Sequence, residues 1–480
     1  MKLRHAHPVM ILEYLWRFMY LLIIPLVRGV GLALSSGLSG WLRGVWIDLL
    51  VLAVIITLAV AKWWCLTFCG SPCGVTVCGG LFWRSKIYIS QAKIDTLAVT
   101  CPYYLKPLRA VRLRADTKAG RFNKADIKIT LFKADAEEIF AGREIFYKVN
   151  ENKVAEYKPH GAYIVALAAI LSNSFAGVLF FATFISQSGT LLGEEFEARV
   201  VGTFQSFTKL MAFGVPPAAA TIAYLMLFGW VFTFLLNLFR LKNFCATRSS
   251  GLLSISGGLF TNRRYSIAVR EINYADIRQG VLTKLLGLYS VFVQAVGYGK
   301  AKDDVSAIIP ALKITELTRT VGLLLPEFKL TRRQAKPNFG ALLRFITDAL
   351  WAAVLLPVAT FMLMRFLPTW REFIQFVGFM GCLPAYLFLA VRIIDFTSSG
   401  IGRQGDIYTL RYSSGFKLHT VIMPRSRVAT ITLRQSVFQK MDNKCDVLIY
   451  SLSEKRRKHH VRNIDKTMAI KILDLQAKEN

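Results

Sequence analysis

At 480 residues, 54% of them hydrophobic, and with a mean hydropathy of +0.41, the chain is too apolar for an ordinary soluble enzyme and reads as a membrane protein. Sixty Lys and Arg against thirty Asp and Glu leave a formal charge of +30. That excess raises nucleic acid as a partner, but membrane tethering and the lack of a basic helix or zinc finger exclude it from the reading. Eight cysteines suit a reducing compartment and suggest no disulfide framework.

Six apolar stretches approach the length needed to cross a hydrocarbon core, and they come in pairs. The first, 10–34, is interrupted by Arg17 and Arg28 and lacks the small-residue cleavage site of a signal peptide. The second, 47–61, ends at Lys62-Trp63-Trp64, a basic and aromatic interfacial anchor. Helix pair 1 therefore occupies 1–61, and a strand-rich domain follows over 62–160. Alternation marks strands at 86–90 and 111–116, Lys118-Ala119-Gly120 marks a turn, and a helix closes the domain at 134–147. Helix pair 2 (161–239) holds apolar stretches at 161–185 and 213–239. A second domain over 240–340 shows strands at 264–268 and 290–295 and a helix at 314–325. Helix pair 3 (341–391) carries 349–367 and 373–391, and a third domain (392–480) has strands at 420–423 and 447–451. Its closing helix, 465–477, sets Met468, Ile472 and Leu475 on one stripe.

The soluble pattern is thus used three times, and a repeat of this kind sets the architecture. Arg278-Gln279-Gly280-Val281-Leu282-Thr283-Lys284 answers to Arg434-Gln435-Ser436-Val437-Phe438-Gln439-Lys440, and Gly79-Gly80-Leu81-Phe82 to Gly257-Gly258-Leu259-Phe260. Lys106 stands where the second copy has Lys284, but Thr100-Cys101-Pro102 replaces Arg-Gln-Gly. The spacing of Cys65, Cys69, Cys73 and Cys78 overlaps that of zinc sites. The second copy, however, builds the same strands with Thr247, Gly251 and Ser256, so no metal and no cofactor is expected. Short antiparallel strands closed by one helix suggest an α+β membrane protein whose small barrels or bent sandwiches use the helix to cover an open end. About eighty residues is small for an independent core, so such domains lean on the membrane, on each other or on partners. The cationic excess lies in the domains, whereas the connection at 186–208 carries Glu194, Glu195 and Glu197. The positive-inside rule then places the three domains and both termini in the cytoplasm.

The run Pro424-Arg425-Ser426-Arg427-Val428 with 433–440, and 272–280 with Leu285-Leu286-Gly287-Leu288, resembles the core motif of bacterial pleckstrin-homology-like domains of the second type. The whole layout, with His7-Pro8 before the first helix and Ser172-Asn173-Ser174 in the third, is similar to the YdbS/YdbT-like membrane proteins. The resemblance implies a seven-stranded PH-like fold with a C-terminal helix and placement in a bacterial cytoplasmic membrane. It also implies no established enzymatic activity and pairing with a smaller, single-domain YdbS-like membrane protein.

Arg278, Gln279 and Lys284, with Arg434, Gln435 and Lys440, are candidate partner or ligand contacts, since a guanidinium can fork onto phosphate or carboxylate; tying the barrel together is the competing role. Lys455-Arg456-Arg457-Lys458 forms a predicted hairpin tip, either solvated or touching anionic headgroups. Asn173, polar within an apolar stretch, suggests a contact inside the helix bundle. Walker-type, His-Glu-x-x-His and Gly-x-Ser-x-Gly signatures are missing, so there are no catalytic residues to name and no enzyme is expected. The expected function is a membrane scaffold that binds lipid, itself or a sister protein, in a setting such as envelope defence or stress tolerance. The alternative is lipid or small-molecule handling through the bundle.

Overall fold

The computed structural model describes residues 3–18, 46, 49–81, 83–119, 125–149, 155–172, 202, 217–298, 307–452 and 457–475. A short strand β1 (Arg4–His5) and helices α1 (Met10–Phe18) and α2 (Leu49–Trp64) precede two three-strand meanders. These are β2 (Thr67–Ser71), β3 (Gly74–Gly79) and β4 (Ser85–Ser90), then β5 (Thr96–Cys101), β6 (Ala110–Asp116) and β7 (Ile127–Phe132), closed by α3 (Lys133–Phe146). The order recurs. Strand β8 (Ala155–Tyr157) and helices α4 (Gly161–Leu171) and α5 (Pro217–Leu241) lead into β9 (Cys245–Ser249), β10 (Leu252–Gly257) and β11 (Asn262–Ala268). Next come β12 (Tyr274–Gly280), the short α6 (Val281–Leu285), β13 (Leu288–Gln294), β14 (Ala307–Lys313) and α7 (Ile314–Leu324). Helices α8 (Leu342–Phe366) and α9 (Arg371–Ser398) precede β15 (Gly400–Gln404), β16 (Ile407–Ser414) and β17 (Lys417–Pro424). The third segment ends with β18 (Val428–Arg434), α10 (Val437–Met441), β19 (Lys444–Ser451), β20 (Lys458–Asp465) and α11 (Lys466–Leu473).

The predicted strands and the first two closing helices match these elements to within one residue at the ends they overrun, because alternation in sequence is alternation in burial, and the last helix is shorter than 465–477. On β6, Val111, Leu113 and Ala115 are buried while Arg112 and Arg114 are half-buried between them. The shared Gly-Gly-Leu-Phe is shared geometry. Gly80 (φ 117°) and Gly258 (φ 102°) both take the left-handed region, and a Cβ at either would strike the carbonyl of Trp83 or Thr261. One expectation is corrected in the last helix. Asp465 is its N-cap, accepting from Met468 N at 3.0 Å, and left-handed Asp474 stops it, so Met468 turns outward. Ala469 and Leu473 fill the core, with Ile472 and Leu475 at its margin.

The segments are not separate sheets set side by side. Strand β5 of the first pairs antiparallel with β11 of the second, from Thr96↔Ile267 to Cys101↔Asn262. Strand β12 of the second pairs in the same way with β17 of the third, from Ala275↔Ile422 to Gly280↔Lys417. One sheet therefore runs β7-β6-β5-β11-β10-β9-β8 and another β14-β13-β12-β17-β16-β15. The cores are exchanged as well: Ala98 and Ile422 belong to the hydrophobic cluster of the second segment, and Tyr274 to that of the third. The open edges assigned to the closing helix are thus taken up by the next segment, because a strand edge gains hydrogen bonds that a helix face cannot supply. Strands β4 and β18 are outer strands of their sheets, although their counterparts β5, β11, β12 and β17 are all interior.

Each helix pair is also clamped at its base. Strand β1 pairs with β2 and β8 with β9, and Ala335 bridges Ile401 of β15. The strand at 155–157 thus serves the second segment, and Ala335 the third, across the boundaries drawn at 160 and 340. Among the described residues three helices are long and apolar enough to cross a membrane: Tyr224–Leu241, Phe339–Phe366 and Val377–Ser398. Leu49–Trp64 and Gly161–Leu171 are shorter apolar helices. Much of the predicted spans 10–34 and 161–185, Asn173 included, lies outside the described residues, whereas 213–239 is covered from residue 217 onward by α5.

Helices α8 and α9 pack against each other and run through Pro357 and Pro384. Asp348 accepts from Arg392 at 2.7 Å, and a Cβ on Gly378 would collide with Thr360. Small residues at a crossing let membrane helices approach closely. Gly378→Leu is therefore expected to splay the pair and cost about 1–3 kcal/mol. Thermal unfolding in detergent reads the loss, and Thr360→Ala should recover part of it.

Candidate membrane-contact and assembly surfaces

The Arg-Gln motif divides into two jobs. Gln279 Nε2 donates to Leu288 O at 3.0 Å and Gln435 Nε2 to Lys444 O at 2.7 Å, each to the first residue of the next strand. Cys101, where the first copy departs from the motif, reaches Ala110 O at 3.6 Å over the same nine-residue spacing. These side chains close a loop. Arg278 is spent on the seam between the second and third segments. Its Nε lies 2.6 Å from Asp276 Oδ2, its guanidinium sits 4.0 Å from the Phe292 ring centroid, and His419 Nδ1 of β17 lies 3.0 Å from the same carboxylate. Burial would raise the Asp276 carboxyl, but His419 and Arg278 together hold it below the usual carboxylate range. Arg434, the counterpart of Arg278, is exposed, and so is Lys440. Lys284 is half-buried, and burial, with Arg333 nearby, lowers its ammonium pKa. Lys106 donates to Leu259 O at 2.7 Å, tying the first segment to the second.

The seam between the first and second segments turns on a residue the sequence reading passed over. Arg143 of α3 is fully buried. It donates to Ile94 O at 3.1 Å, Asp95 O at 3.2 Å and Ser266 Oγ at 3.1 Å, so one guanidinium holds both sides of the β5–β11 seam. Burial lowers its pKa to about 10, and it stays charged at neutral pH. An arginine on the polar-looking helix 134–147 carries no signal of this role in sequence.

A second surface repeats three times in the loop after β5, β12 and β18. Tyr103, Tyr104 and Leu108 are exposed in the first copy; Leu282, Leu285 (83% exposed) and Leu286 in the second; Val437, Phe438 and Met441 (81%) in the third. Each group flanks the repeated lysine, Lys106, Lys284 or Lys440. The hairpin before the interior strand adds an aromatic at Phe260 and Phe416; the equivalent Phe82 lies outside the described residues, but its neighbour Trp83 is 89% exposed. These loops lie against the long helices. The Phe260 ring is 4.9 Å from Phe239 of α5, Phe416 is 5.6 Å from Phe388 of α9, and Asp442 after α10 is 3.6 Å from Arg344 in the first turn of α8.

The basic tip lies elsewhere. Arg457 and Lys458 are exposed at the far end of the eight-residue β19 from Asp442, a separation of about 25 Å at strand rise; Lys455 and Arg456 lie outside the described residues. Cys65, Cys69, Cys73 and Cys78 sit on or beside β2 and β3 as free thiols. Among the described residues no group of His, Cys, Asp or Glu is gathered as metal ligands would be.

The chain is 22% identical over 413 residues to the UPF0699 transmembrane protein YdbT of Bacillus subtilis (strain 168), covering 80% of this chain and 79% of the relative. No solved structure matches. The family model for the bacterial PH domain matches residues 21–142 and 198–327, more than half of the length. A membrane protein with PH-like segments joined through their sheets, this chain belongs to the bacterial PH domain family.

Proposed function

We propose that the chain is a non-enzymatic membrane scaffold. In this reading three helix pairs, six spans in all, hold three PH-like units against the cytoplasmic leaflet of a bacterial membrane for protein assembly and anionic-lipid contact. The observation that carries it is the edge-to-edge joining of successive segments through β5–β11 and β12–β17, which makes the strand edge itself the assembly device. The repeated rim of exposed apolar residues beside Lys106, Lys284 and Lys440 supports seating at the headgroup level. There apolar side chains enter the acyl boundary and each lysine gains roughly 1 kcal/mol from anionic lipid. This moves the expected headgroup contact from the Lys455–Lys458 tip, at the far end of β19, to the rim. In nanodiscs the fluorescence that Phe438→Trp adds to that of the nine native tryptophans is expected to be quenched by bromine placed in the upper acyl chain, with a smaller effect on that added by Lys458→Trp. Equal quenching at the two positions would overturn the rim assignment.

Lipid handling keeps one observation in its favour. A cleft of about 390 Å³ between Tyr103, Leu236, Phe239 and Phe260 adjoins a basic cleft of about 670 Å³ that includes Lys106, Arg109 and Lys133, both bordered by Arg263. Native mass spectrometry separates the readings: a retained stoichiometric protein, such as a smaller YdbS-like membrane protein, supports the scaffold, and one retained lipid class alone supports lipid handling.

A further inference from the structure

Resting on the scaffold reading, we infer that β18 of one chain pairs antiparallel with β4 of a second copy, continuing head to tail the junctions already present inside the chain. The repeat aligns β4 with β11 and β17, and β18 with β5 and β12. Both internal junctions are interior to their sheets, whereas β4 and β18 end theirs. The missing neighbour shows in the side chains. Tyr88 is 57% exposed, but its counterparts Ser266 and Ile422 are buried, and Ile422 enters the core of the preceding segment. Thr430 is exposed and Thr432 half-buried, whereas Thr96, Ala98, Tyr274 and Asp276 at the matching positions are buried. A strand edge with apolar side chains left in the open is a template for one more strand. A second copy fits because each chain carries both halves of the junction, and the internal pairs supply the register. Thr96↔Ile267 and Arg278↔His419 translate to Thr430 opposite Ile89 and Arg434 opposite Ser85. Tyr88 would then take the place of Ile422 against the third segment's core, and Thr432 that of Ala98 against the first's.

A head-to-tail contact uses two different surfaces, so blocking each on a separate chain leaves one good junction between them. The full chain in mild detergent is expected to run as a multi-chain species by native mass spectrometry, and Tyr88→Glu or Thr432→Glu as single chains. An equal mixture of the two variants should give a two-chain species and nothing larger. Register is tested separately at exposed positions: Arg434→Glu should weaken association about tenfold, and Ser85→Lys in the same chain should restore it. A single-chain wild type, variants that remain assembled, or variants with wild-type melting that fail to pair would each overturn the inference. A single-chain wild type that retains a stoichiometric second protein overturns it while sparing the scaffold reading; one that retains no protein removes both.

Discussion

Arg143→Ala is expected to loosen the first two segments from each other, at a cost of about 3–5 kcal/mol. The residue is fully buried and bridges Ile94, Asp95 and Ser266 across the seam. Its removal leaves a cavity and unpaired acceptors, the combination that produces the largest single-residue losses. The β5–β11 ladder remains, so the segments should not part; the seam should open more often. Unfolding in detergent should shift down by about 3–5 °C, and hydrogen exchange should rise at 96–101 and 262–268 while staying unchanged at the β12–β17 seam. Arg143→Lys, which keeps the charge but lacks the fork, should fall between the two. Uniform loss of protection over the whole chain would show that Arg143 supports global stability and not this seam.

Acidification from pH 7 to pH 4 is expected to act in opposite directions at two places. Burial, then the nearby Glu271, raises the Asp95 carboxyl to about 6. The folded chain therefore takes up this proton before the unfolded chain does, and stability is gained as pH falls from about 6 to the unfolded value near 3.8. In the third segment His459 is buried, with Nδ1 at 2.9 Å from Tyr412 Oη and Nε2 lacking a hydrogen-bond partner among the described residues. Burial lowers its pKa to about 4 despite Asp276, with His419 and Arg457 adding to the effect. Here the unfolded chain protonates first, near 6.5, so stability is lost between about 6.5 and 4. Each contribution is on the order of 3 kcal/mol. Asp276, held low, stabilises above the unfolded carboxyl value and gives way only below it, outside this window. Melting across the range should fall more steeply on acidification in Asp95→Asn than in the wild type, and less steeply in His459→Gln. Parallel slopes in all three proteins would remove both assignments.

The elements were legible because their physics is local. Alternation at 86–90 and 111–116, the glycines at 80 and 258, and the apolar runs at 349–367 and 373–391 each dictate their own conformation. The seams were not legible, because a period of two says which face of a strand is buried and nothing about which strand lies at its edge. For the same reason the Arg-Gln repeat read as one site. Gln279 and Gln435 do the same work, but Arg278 shares Asp276, two residues back on its own strand, with His419 of the third segment, whereas among the described residues no strand of a further segment lies beside Arg434. The rim was hidden in plain composition: Leu285 and Met441 look like core residues until the short helices carrying them turn them outward.

The clamp at the base of each helix pair has a consequence for biosynthesis. Arg4–His5 and Ala155–Tyr157 leave the ribosome before the apolar residues that follow them, yet their strand partners lie beyond those residues. The sheet can close only if the intervening chain returns to the leaflet it left, which demands an even number of crossings. A hairpin that stalls half inserted strands its first β partner on the wrong face of the bilayer. Where each helix pair crosses the bilayer as proposed above, sheet closure acts as a parity check on membrane insertion, made once for each segment.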